Sequence, residues 1–142
     1  MSRIVSFRGL MEPDTQDTIV LHTNTGETGY KIVKFQVIAG APVGVSSEAV
    51  ISIWKVSQTT NPASIDFSDQ RLLGAAFYEN HQNNVAEGQN VIVFDNEIFN
   101  QDIFVTCYSS SGAINYYLEL EQMDLALDEA TVATLKDIRN ND

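Results

Sequence analysis

From Asn90 to Met123 the chain reads N-V-I-V-F-D, N-E-I-F-N, Q-D-I-F-V-T-C-Y, S-S-S-G-A, then I-N-Y-Y-L-E-L-E-Q-M. β-Branched and aromatic residues fill three short runs, and turn formers fill the breaks between them. The last run alternates without interruption. Tyr116, Leu118 and Leu120 project to one side, and Tyr117, Glu119 and Glu121 to the other, so one face packs on a core and one meets water. Ser109-Ser110-Ser111-Gly112 has the composition of a hairpin turn, with Gly112 free to take positive φ. These features predict a three-stranded antiparallel meander.

The rest of the chain continues the pattern. Strands are expected over 2–8, 17–23, 30–39 and 49–56, separated by Glu12-Pro13-Asp14, by 24–29 and by 40–44. In the third of these, alternation places Lys31, Val33, Phe35 and Val37 on one face and Ile32, Lys34, Gln36 and Ile38 on the other. The fourth is apolar on both faces and holds the single tryptophan, Trp54, a sign of burial in a sandwich interior. Residues 66–80 admit two readings, a short helix capped by Asp66 or Ser68, or a turn followed by a strand with Gly74 at a bulge. The aromatic pair Phe77 and Tyr78 favours the strand. A terminal helix is predicted over 128–139, capped by Asp128, with Val132, Leu135 and Ile138 as its apolar stripe and candidate interaction surface. The fold class expected is all-β: one domain over 1–142, a two-sheet antiparallel sandwich of about eight strands with one short C-terminal helix. A jelly-roll-like order is the first choice, and an immunoglobulin-like order fits the same spacing.

Few residues suggest chemistry. The two histidines, His22 and His81, lie in no metal-binding spacing, and no phosphate-binding or nucleophile motif is present. Asp95, Glu97 and Asp102 flank the 96–101 turn and are the candidate ligands for calcium, with an Asx-turn at Asp95 as the competing use. Trp54, Tyr108, Tyr116 and Tyr117 are candidates for a sugar-stacking platform, with core packing as the alternative. The serines at 109–111 fit a turn better than a nucleophile. Cys107 is alone, so no internal disulfide is available, and its place within a strand suits a small buried side chain. The sequence thus predicts a protein that is not an enzyme and needs no cofactor or metal.

Charge narrows the partners. The net charge is −11, and such a surface repels phosphate backbones and anionic membranes. Neither nucleic acid nor a membrane is therefore expected as a partner. No apolar run reaches the roughly 18 residues of a spanning helix. The first residues alternate like a strand instead of forming a signal peptide, so synthesis in a cytoplasm is expected. Residues 1–40 balance four bases with four acids, whereas 119–142 carry seven acids against Lys136 and Arg139. The two ends are thus suited to attract each other, within one copy or between copies.

Three segments carry a resemblance: M-S-R-I-V-S-F-R-G at the start, F-D-N-E-I-F-N-Q-D-I-F-V-T at 94–106 and I-N-Y-Y-L-E-L-E at 114–121. Together the chain resembles small proteins encoded among the structural genes of marine tailed bacteriophages. The resemblance spans nearly the whole chain and rests on structural motifs, with no functional residues to carry over. It implies a virion component that coats or locks a capsid, a decoration or cement protein. A tail or head–tail part, or a receptor- or glycan-binding sandwich, is the alternative. The partners implied are the major capsid protein or other virion proteins, and copies of the chain itself.

Overall fold

The β-forming runs become eight strands, all paired antiparallel, in a computed structural model that describes residues 3–21, 27–44, 46–80 and 89–125. They are β1 (Arg3–Met11), β2 (Thr15–Ile19), β3 (Thr28–Ala39) and β4 (Ser47–Trp54), then β5 (Leu72–Asn80), β6 (Gln89–Phe94), β7 (Ile103–Ser109) and β8 (Ile114–Asp124). One sheet has the order β1-β8-β3 and the other β2-β7-β4-β5-β6. β1 lies against β8, β2 against β7 and β4 against β5. This nesting of early strands on late ones is the jelly-roll-like order, and it differs from the immunoglobulin arrangement. The sixth strand stays on β5 through a hairpin register running from Gly74–Phe94 to Glu79–Gln89. Its Asn90 Nδ2 also donates to the Val37 carbonyl at 2.9 Å, which ties it to β3 of the other sheet.

The core lies between the sheets. Ile51, Ile53, Ile103, Val105 and Cys107 from the five-stranded sheet meet Phe35, Val37, Ile114, Leu118 and Leu120 from the three-stranded one, all buried. Alternation in β8 is as expected, with Ile114, Tyr116, Leu118 and Leu120 buried and the residues between them half-exposed. Trp54 is buried as well, at 5% exposure. Residues 66–80 take the turn-and-strand form. Asp66 Oδ1 accepts the Ser68 backbone N–H at 3.0 Å, and the strand begins at Leu72. The register slips where Ile53 and Trp54 face Gly74 and Leu72, so the extra residue of the bulge is Leu73, beside the expected Gly74. A side chain at Gly74 would sit 2.9 Å from Phe94 Cβ, and this close approach requires a glycine.

Two expectations fail. The runs of 90–123 are strands but not a meander: β6 pairs with β5, β7 with β2 and β4, and β8 with β1 and β3. Both β7 and β8 have backbone partners on each side, drawn from distant parts of the chain, so neither has an edge to offer the other. Ser109–Gly112 therefore carries the chain from one sheet to the other, with Gly112 at φ 75°. In β3 the strict alternation also breaks. A bulge between Ile32 and Lys34 inserts Val33, so Tyr30 and Ile32 face inward together with Phe35 and Val37, while Val33 and Lys34 face out. The expected helix over 128–139, with Val132, Leu135 and Ile138, lies outside the described residues, as do His22 and His81.

Candidate interaction surfaces

An antiparallel sandwich ordinarily turns polar side chains outward from both sheets. The outer face of β1-β8-β3 has four cross-strand rows built by the registers. Ile4, Glu121 and Lys31 form one; Ser6, Glu119 and Lys34 the next; then Arg8, Tyr117 and Gln36; and last Leu10, Asn115 and Ile38. Lys31 Nζ lies 3.6 Å from Glu121 Oε1, and Lys34 Nζ sits over the Tyr117 ring at 5.8 Å from its centre. The Tyr117 hydroxyl donates to Glu119 Oε2 at 2.7 Å. That bond to a carboxylate is the main reason its phenol is held above the usual range. Charged and polar groups thus occupy the middle of the face. Its two ends on β1 are apolar: Ile4 is 54% exposed and Leu10 57%. An open cleft of about 850 Å³ lies against the Leu10 end, lined by Arg8, Gln36, Asn90, Asn115 and Tyr117 among others.

The outer face of the five-stranded sheet is more apolar. β4 turns Val50, Ser52 and Trp54 away from the core, opposite Tyr108, Thr106 and Phe104 of β7. Trp54 Nε1 donates to Thr106 Oγ1 at 2.9 Å, so the one polar atom of the indole is satisfied. Gln58 is tied to Gln16, the register partner of Thr106, its N–H donating to Gln16 Oε1 and its carbonyl accepting from Gln16 Nε2, both at 2.9 Å. Farther along, Val91, Val93 and Tyr108 stay exposed.

Asp95, Glu97 and Asp102 are not gathered around one point. Asp95 Oδ1 accepts the Glu97 backbone N–H at 2.9 Å, the Asx-turn reading. Asp102 Oδ1 accepts the Leu21 N–H at 2.9 Å, and Glu97 Oε2 lies 2.7 Å from Lys55 Nζ. Among the described residues no group of three potential ligands forms a metal-binding cluster. Cys107 is fully buried, and burial, aided by Asp14 and Asp17, pushes its thiol up to about 12, so it stays protonated. Ser110 Oγ accepts the Glu48 N–H, and Ser109 Oγ bonds Ser111 backbone atoms, so these hydroxyls hold the turn. Of the aromatic candidates, Trp54 and Tyr116 are buried. The Tyr116 hydroxyl meets Asp17 Oδ2 at 3.5 Å, and burial first, then that carboxylate, pushes its phenol up to about 12. Tyr117 is taken up by Lys34 and Glu119, which leaves Tyr108 alone exposed, and one ring does not make a stacking platform.

Sequence reasoning missed Lys55, whose side chain is 2% exposed and which is held by Glu97. Its only signal is a lysine directly after the apolar run A-V-I-S-I-W. It also missed the paired ends Ile4 and Leu10. These were legible as outward positions six residues apart in an alternating strand. No protein-family model matches this chain, and no curated protein is significantly similar to it.

Proposed function

We propose that the protein is a structural, non-catalytic component of a virion that coats a capsid lattice as a decoration or cement protein. The observation that carries this reading is that each outer face leaves large apolar side chains exposed. Ile4, Leu10 and Ile38 stand exposed on one sheet and Val91, Val93 and Tyr108 on the other. Apolar side chains exposed on opposite faces suit a molecule held between neighbours, where each face is covered on assembly. The resemblance of the 94–106 and 114–121 segments to phage structural proteins supports the same reading. The acidic surface adds to it, since it limits binding to a packaged genome. Its partners are then the major capsid protein and further copies of itself, and its location is the particle.

A glycan-binding role finds less support, because three of the four candidate platform residues are buried or engaged and Tyr108 alone stays exposed. The test is the copy number of the chain relative to the major capsid protein in gradient-purified particles. A ratio that is a fixed, sizeable fraction of the capsid subunits supports decoration. A ratio matching one ring or one vertex moves the protein to the tail or head–tail junction, and absence from particles overturns the virion reading.

A further inference from the structure

The four sheet edges differ in how they are closed. β2 and β6 are short, at five and six residues. β3 is bulged at Val33, carries Lys31 and Lys34, and is bridged at Tyr30 by two backbone bonds with Phe99. These devices discourage strand addition. β1 is neither short, bulged nor bridged, and its charges are Arg3 at its start and Arg8. It runs nine residues, R-I-V-S-F-R-G-L-M, without proline or bulge. Among the described residues it receives backbone hydrogen bonds from β8 alone.

We propose that β1 is a self-association edge, pairing antiparallel with β1 of a second copy about a two-fold axis through Phe7. The occupant follows from the strand's own pattern. Centred on Phe7, Ile4 faces the partner's Leu10 and Leu10 faces the partner's Ile4, so the exposed apolar ends of each copy cover those of the other. Ser6 faces the partner's Arg8. Moving the axis to Arg8 sets two like charges opposite each other, and moving it to Ser6 sets Ile4 against an arginine. Centring between residues turns the inward side chains of one copy onto the outer face of the other. Phe7 is the register that matches all nine positions and avoids each of these conflicts.

Charge also fits. Ser6 is small and neighbours Glu119 on β8. The partner's Arg8, lying over Ser6, is then two strands or roughly 10 Å from Glu119 in Cα terms, a span an arginine and a glutamate close together. Arg8 has no carboxylate partner among the described residues. The two three-stranded sheets become one continuous sheet, β3-β8-β1-β1-β8-β3, an isologous contact of the kind common in dimers. This inference supplies residues for the self-association named above and holds wherever in a particle the protein sits.

Sedimentation of the purified full-length chain tests the contact, and cysteine cross-linking tests its register. The chain should dimerise, and Ile4→Lys, an exposed change made twice per dimer, should raise the dissociation constant about tenfold or more with its melting curve in the monomer unchanged. Cys107 is buried, so added cysteines report alone. Ile4→Cys mixed with Leu10→Cys should link through a short bifunctional thiol reagent. Each variant alone should not, because equivalent positions lie about 20 Å apart in this register. A chain monomeric at every concentration overturns the proposal. So does a dimer indifferent to Ile4→Lys, or one in which Ile4→Cys links to itself.

Discussion

Replacing Glu97 by glutamine perturbs the most enclosed charge among the described residues. Lys55 follows β4 with its side chain 2% exposed, and its ammonium lies 2.7 Å from a Glu97 carboxylate that is 23% exposed. Taking an ammonium out of water costs several kcal/mol, which a close carboxylate offsets. Glutamine keeps the shape and one acceptor but removes the charge, and breaking such a pair from one side costs about 3–5 kcal/mol. Asp69 tempers this. Its carboxyl is held low chiefly by the hydrogen bond from Arg71 and further by the charge of Lys55, so some attraction for the ammonium remains. The expected loss is therefore near the lower end, about 3 kcal/mol. Lys55→Met should cost less, about 1–2 kcal/mol, because the partly exposed Glu97 regains water. The double variant Lys55→Met/Glu97→Gln should return to within about 1 kcal/mol of the parent, a coupling of about 3 kcal/mol. Urea unfolding of the four proteins at pH 7, followed by Trp54 fluorescence, measures all the terms. A Glu97→Gln loss below about 0.5 kcal/mol, or simple additivity in the double variant, would refute the reasoning.

Trp54→Ala should cost about 3–5 kcal/mol from lost packing, while Trp54→Phe should cost only about 1–1.5 kcal/mol for the bond to Thr106, both by urea melts. Leu118→Ala should cost about 2–5 kcal/mol, and Glu119→Ala about 0.5 kcal/mol or less in dilute protein; equal losses would mean the faces of β8 are reversed. Alkaline stability should fall in two stages. Cys107 and Tyr116 have folded values pushed up to about 12, so above the unfolded thiol value near 8.5, and then above the unfolded phenol value near 10, the folded state holds protons the unfolded state has lost. Each group then removes up to about 1.4 kcal/mol per pH unit, and Cys107→Ala should abolish the first stage in melts from pH 7 to 11.

The positions of the strands were legible in the sequence because alternation and turn residues are local. Their partners were not. β7 and β8 follow one another across a four-residue turn, yet each is the inner strand of a different sheet, a choice made by partners far away in the chain. The Val33 bulge was hidden because strict alternation still gave β3 a plausible face, although that face included Lys31, a poor neighbour for Phe35 and Val37. Asp95, Glu97 and Asp102 lie close in sequence, as calcium ligands do. Their fates were decided by groups remote in the chain, the Lys55 ammonium and the Leu21 amide, and by the local Asx-turn. The apolar run before Lys55 is a local sign of burial but names no partner, since only the fold brings Glu97 to it.

We propose that this protein works by being covered, at its β1 edge and on its outer faces, in an assembly. Hydrogen exchange of the full-length chain, free at low concentration and again on purified particles, tests it most directly. β8 amides should exchange slowly in both states, because both of its sides are paired, while the alternate β1 amides directed away from β8 should exchange quickly in the free chain and slow markedly on particles. Equal protection of those outward-directed β1 amides in both states would contradict it.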